Sequence, residues 1–300
     1  MSDIKNVVVV GGTGNLGAPI VQALAASGAF TVSILTRSGS ASRAFPDGFR
    51  ILDTDYSPSS LEEAFNGQDA VVSAVAGAAL GEQKKLIDAA VAAGVKRFIP
   101  SEFGSNTDNK EAQELVPIFS RKVEIKNYLE SQTSNGLTWT GIVTGPVFDR
   151  SLKLGVLGFD ISARRATIYD SGDRPFTAST VAQVSSAVIG VLQNPDKTEN
   201  KYVYVGSFTT TQNEILATLE AVTGDSWIVD KTSSTEKVEA GKEQVLRRRD
   251  STAIRPLITA AMYHERSGSD FETELGLSNE VLGLSKEDLA TVIKQVISEL

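Results

Sequence analysis

The spacing of hydrophobic residues changes along this chain, and each change marks an element. Val7-Val8-Val9-Val10 is an unbroken β-branched run, as expected of a strand covered on both faces of a parallel sheet. Leu16, Ile20 and Leu24 then recur every four residues and Gly28 follows, which predicts an amphipathic helix and its end. The alternation continues. Strands are expected over 31–36, 50–53, 70–75, 97–100 and 138–144, and Ser60-x-x-Glu63 reads as the start of the short helix before the fourth of these six strands. Leu86, Ile87, Ala90 and Val91 give another helix its apolar face, and 118–131 forms the next. Short apolar runs alternating with helical stripes predict βαβ units, hence an α/β, Rossmann-like, doubly wound parallel sheet.

Beyond Gly145 the rhythm loosens into a Gly-spaced stretch, 153–159, and a turn-rich one, 170–175. Val181, Val184, Val188 and Leu192 make a helical stripe, and 202–205 reads as a strand returning to the sheet. Thr211-x-x-Glu214, Ser233-x-x-Glu236 and Ser285-x-x-Asp288 are capping patterns in a mainly helical C-terminal third. The expected division is a cofactor domain over 1–145, with 166–206 returning to its sheet, and a smaller, mainly helical substrate domain from 146–165 and 207–300.

Composition narrows the chemistry. The 300 residues include no Cys and a single His, His264. Thiolate nucleophiles, disulfides and Cys- or multi-His metal sites are thereby removed, so no metal is expected. Net charge −8 argues against nucleic acid and anionic membranes as partners. No apolar run approaches the ~20 residues of a membrane span, and the N-terminal residues lack a signal-peptide pattern; a cytoplasmic location is expected.

Gly11-Gly12-Thr13-Gly14-Asn15-Leu16-Gly17 lies between the first strand and the first helix. In that setting glycines permit a tight turn and close backbone approach, and the helix N-terminus offers N–H groups to a pyrophosphate. Where a site for NAD carries Asp or Glu, this chain has Thr36-Arg37-Ser38. A guanidinium there suits a 2′-phosphate, so NADPH is the expected cofactor, with Arg43 as a second phosphate contact. Tyr-x-x-x-Lys, the usual proton-transfer pair on such a domain, is missing, since none of the six Tyr has Lys four residues on. Lys122, on the helix after the fifth strand, is left to act without a Tyr partner, as general acid or base beside the cofactor. His264 reads as structural, Arg247-Arg248-Arg249 as a solvated helix end, and Glu102 as a residue holding its loop by hydrogen bonds.

Together with the glycine turn and Thr36-Arg37-Ser38, the strings Asp69-Ala70-Val71-Val72-Ser73, Val95-Lys96-Arg97-Phe98-Ile99-Pro100-Ser101-Glu102-Phe103-Gly104 and Phe119-x-x-Lys122 give nearly the whole chain a likeness to one family. It resembles the NmrA-like, isoflavone reductase-like branch of the short-chain dehydrogenases, which includes phenylcoumaran benzylic ether and pinoresinol–lariciresinol reductases. The resemblance implies NADPH-dependent reduction of a small aromatic or conjugated molecule, with Lys122 moving the proton and with Val75 and Val147 among the cofactor contacts. For ether substrates it implies that Lys122 removes a phenolic proton and that hydride quenches the resulting quinone methide. The alternative within the family is a non-catalytic NADP(H) sensor that regulates a protein partner; Lys122 in its Phe-x-x-Lys setting speaks against it. The chain departs from the plant enzymes at Asn15, where they carry Tyr or His, in the short loop after Arg37, which lacks their following Lys, and at Gly145-Pro146-Val147-Phe148. Substrate identity therefore does not carry over.

Overall fold

In the computed structural model, residues 3–39, 48–75 and 77–300 are described. The strands are β1 (Asn6–Val10), β2 (Thr31–Arg37), β3 (Arg50–Thr54), β4 (Ala70–Ser73), β5 (Arg97–Ile99) and β6 (Thr138–Val143), then β7 (Phe159–Asp160), β8 (Arg165–Tyr169), β9 (Phe176–Ala178), β10 (Lys201–Tyr204), β11 (Phe208–Thr210) and β12 (Ile228–Thr232). Seven of them form one parallel sheet in the order β10-β6-β5-β4-β1-β2-β3. Val7 to Val10 are fully buried in its centre, each side chain contributing about 1.5–3 kcal/mol. Helices α1 (Gly17–Ala26) and, later in the chain, the helix Val181–Gln193 pack on one face. On the other face lie α2 (Pro58–Phe65), α3 (Gln83–Ala92) and, after the short α4 (Lys110–Leu115), α5 (Ser120–Gln132).

Two helix starts differ from those read in the sequence. Helix α2 begins at Pro58, with the Ser57 hydroxyl accepting from Ser60 N–H: proline lacks the N–H that a first helical turn leaves unpaired, and its fixed φ suits that position. The last helix, Leu289–Ser298, is capped by Asp288 rather than Ser285. At Thr211 both halves of the capping box form. The fourth strand stops at Ser73, two residues short of the expected end, as the chain leaves the sheet.

Past β6 the chain builds a second core. Strands β7, β8 and β12 make a three-stranded sheet and β9 pairs with β11, so within 166–206 it is β10 that joins the large sheet, beside β6. Phe148, Phe159, Phe176, Ile215, Tyr263 and Ile293 gather around these strands. Among the described residues, no helix is long and apolar enough to cross a membrane.

Arg97 on β5 is fully buried. Its guanidinium donates to the hydroxyls of Thr138, Thr140 and Thr198 and to the Pro195 carbonyl, at 2.7–3.0 Å. It thereby ties β5 and β6 to the turn before β10. Burial among these acceptors lowers its pKa to about 10, which leaves it charged at neutral pH. Arg97→Met strands these acceptors, and we expect a loss of about 2–4 kcal/mol, measured by urea unfolding.

Candidate active site

Strand β1 has β2 on one side and β4 on the other, so the connections leave it in opposite directions. A crevice opens at the carboxyl ends of such strands, where doubly wound sheets place their ligands. Here it is a groove of about 540 Å³. Its walls are the turn after β1 (Gly11, Thr13, Gly14, Asn15 and Leu16), Ala74 and Val75 after β4, Ser101 to Phe103 after β5, and Lys122 from α5.

The turn is shaped by what a side chain would strike. Gly11 has φ +78°, and a Cβ there would stand 2.8 Å from the Ala74 carbonyl oxygen. A Cβ on Gly17 would stand 2.1 Å from the Gly11 carbonyl oxygen, so α1 rests directly on the turn. No side chain caps the N-terminus of α1; the N–H groups of Gly14 and Ala18 are taken by the carbonyls of Gly11 and Gly14 and residue 19 is a proline, so an anion there meets the N–H groups of residues 15–17. Gly12 lies inside the fold, packed against Val21 and Ile34.

Arg37 and Ser38 end the neighbouring strand. The Arg37 guanidinium lies over the Tyr56 ring, 4.6 Å from its centre, and the Ser38 hydroxyl donates to Asp53 at 2.8 Å. Neither lines the groove itself. Arg43 falls outside the described residues.

Lys122 Nζ donates to the backbone carbonyl of Glu102 at 2.5 Å, and the Glu102 carboxylate lies 3.7 Å from it. The two differ in exposure: the Glu102 side chain is 2% accessible, while that of Lys122, at 19%, opens on the groove. Thr107 donates to Glu102 Oε2 at 2.9 Å. Burial holds the Glu102 carboxyl above the usual range, with the Lys122 charge and the Thr107 hydrogen bond opposing it. Burial likewise raises the Tyr202 phenol, and the Glu102 charge adds to the rise.

A second cavity, about 170 Å³, adjoins the groove at Phe103. Val147 lies here rather than in the groove: β6 ends at Val143 and the chain bends at Gly145 before it. Gly145 has φ +65°, and a Cβ would strike the Thr177 carbonyl at 1.9 Å. Strand β9 thus presses against this bend. Ile258, Met262, Ser269 and Phe271 complete the wall. These residues arrive from more than a hundred positions downstream, so no local pattern announced them. Ser101 carried a signal within its Pro-Ser-Glu-Phe-Gly string; its hydroxyl donates to the Val75 carbonyl at 2.8 Å and its N–H to the buried Gln83. His264 sits apart from both cavities, its Nδ1 accepting from Arg266 N–H.

The sequence profile of the NmrA-like family matches residues 3–240. The chain belongs to the NmrA-like family. It is 38% identical over 296 residues to oxidoreductase aprR of Aspergillus flavus, covering 97% of this chain and 98% of that one. To the isoflavone reductase homolog IRL of Zea mays it is 32% identical over 242 residues, covering 75% and 77%. This NmrA-like chain is an oxidoreductase of the isoflavone reductase type. A crystal structure of isoflavone reductase superposes with a TM-score of 0.81 at 21% identity, covering 99% of this chain and all of that one. AtPrR2, solved with NADP+ and (+)-pinoresinol, gives 0.76 at 23% over 99% and 100%. Both share the Rossmann-like fold.

Proposed function

We propose that this chain is an NADPH-dependent reductase of a small aromatic or conjugated molecule, with Lys122 as its general acid or base. One observation carries the reading: the Lys122 amine opens on the groove that the glycine turn walls. That turn fits a dinucleotide, since at Gly11 a side chain would close on Ala74 and at Gly17 it would lift α1 away. Bound there, NADPH supplies the hydride. The turn of residues 11–17 cradles its pyrophosphate, with the N–H groups of residues 15–17 donating, Arg37 and Ser38 meet its 2′-phosphate end, and Val75 supports the ring face.

Lys122 Nζ takes a proton from a phenolic hydroxyl, or gives one to a carbonyl or enone oxygen, as hydride arrives. The 170 Å³ cavity adjoining the groove holds the substrate; its walls are apolar residues with Ser105, Ser151, Thr177, Thr259 and Ser269, and none of the described residues that line it is charged. Such a lining suits an uncharged ring system. Residues 1–145, with 166–206 returning to the sheet through the helix Val181–Gln193 and β10, form the cofactor domain, and 146–165 with 207–300 form the substrate domain.

The test is NADPH oxidation, followed by absorbance, on pinoresinol, an isoflavone and an enone. Turnover on one of them is expected. Tight NADPH binding with turnover on none would favour the sensor instead. For cofactor choice, Arg37→Asp is expected to weaken NADPH by about 10–100-fold while NADH improves, since a bidentate charge pair to phosphate is lost and a carboxylate repels it. Dissociation constants for both dinucleotides check this.

A further inference from the structure

A lysine is a poor fixed proton donor by itself, because its four-carbon stem is flexible. The groove lysine is not left by itself. Pro100 ends β5, and the turn that follows brings both the carbonyl and the carboxylate of Glu102 to Lys122 Nζ, at 2.5 and 3.7 Å. The carboxylate is sealed from water on its other sides. Thr107 hydrogen-bonds it, and the ring of Tyr202 lies against Gly141, where a Cβ would come within 2.4 Å of that ring and 3.5 Å of Glu102 Cγ. The Tyr202 hydroxyl is buried as well. An ionised carboxylate is costly to bury unless something repays its lost hydration, and Lys122 is its ion-pair partner.

We infer that Glu102 is the positioning residue of this site: its buried carboxylate, with its own backbone carbonyl, holds the Lys122 amine facing the groove, where it exchanges its proton. An ammonium has three donors. The carbonyl takes one and the carboxylate draws a second inward, so the third faces the groove. The inference rests on Lys122 being the proton-transfer group. It explains why a Glu is placed where a loop-holding Gln would satisfy the same hydrogen bond from Thr107.

The test reads Lys122 directly and needs no substrate. Lysines of the whole protein are acylated with trace acetic anhydride, and peptide mass spectrometry gives the rate at each. Lys126, one turn along α5 and paired with Asp108 and Glu130, is the internal reference. Glu102→Gln should raise the Lys122-to-Lys126 rate ratio severalfold, since the amine loses the buried carboxylate that draws it inward. Glu102→Asp, which keeps the charge, should restore most of the protection. Thr107→Val, a milder change that frees Oε2, should shift the ratio in the same direction by a smaller factor. A ratio within twofold of wild type in both Glu102→Gln and Thr107→Val overturns the inference, as does a rise at Lys126 in step with Lys122, which would mean that α5 has merely loosened. The proton-transfer reading fails separately, if Lys122→Met keeps its turnover.

Discussion

Lys122→Met retains NADPH binding and loses about 10²–10⁴-fold in turnover, the range that a positioned general acid or base supplies. Methionine keeps the length and apolar character of the stem, so α5 and the groove wall stay in place. The amine alone is removed. With it goes the counter-charge of Glu102, whose side chain is 2% accessible. That carboxylate already sits above the usual range through burial, and without Lys122 it rises further. The sign is that of an acid whose folded pKa exceeds its unfolded value: stability is greatest below the unfolded pKa and falls as pH rises towards the folded one. The variant is therefore expected to lose more stability than wild type between acidic and neutral pH. Turnover and NADPH dissociation constants at pH 7, with urea unfolding at pH 5 and pH 7, test both parts. Undiminished turnover would remove Lys122 from the chemistry.

Gly17→Val is the second large effect, and it acts on the cradle rather than the chemistry. Even a Cβ would sit 2.1 Å from the Gly11 carbonyl oxygen and 2.9 Å from the Gly12 Cα. These are backbone atoms at the end of a buried strand, so α1 has to move. Its first N–H groups move with it, and a shift of an ångström at an anion site removes the hydrogen bonds on which binding rests. We expect NADPH affinity to fall at least about 100-fold and stability by about 3 kcal/mol, within the range for strain at a special backbone position. Gly14→Ala separates the two quantities, because the nearest atom to its Cβ is the Gly11 oxygen at 3.1 Å. Its fold should survive while NADPH binding weakens, as a methyl group enters the groove. Calorimetric titration and thermal melts distinguish the pair. Equal losses of stability in both variants would contradict this account of the turn.

How much of this was visible in the sequence follows from how local each signal is. The parallel sheet was legible because Val7 to Val10, Ala70 to Val72 and the pair Phe98-Ile99 are apolar segments without alternation, as strands buried on both faces require. The glycine turn was legible for a related reason: the close approaches of Gly14 and Gly17 to Gly11 and Gly12 lie within seven residues, although Gly11 and Gly12 also touch Ala74, Val21 and Ile34. Helix α2 was misplaced by three residues because two serines compete for its cap and Pro58 decides between them. Arg37 was read from its place at the end of β2, but its Tyr56 platform was not, since that pairing depends on the turn after β3. The second cavity was the least legible part. It is assembled from β5, β6, β9 and the helix Ile254–Tyr263, and only the folded chain brings Phe103, Val147 and Met262 together.

The central claim is that one groove holds NADPH and presents Lys122 to its reactive end. A crystal structure with NADP+ tests it most directly. The account predicts the pyrophosphate on the glycine turn at the N–H groups of residues 15–17, the 2′-phosphate at Arg37, and the nicotinamide between Val75 and Lys122, facing the 170 Å³ cavity. A nicotinamide bound away from Lys122, or a Lys122 side chain turned out of the groove in the complex, would contradict it.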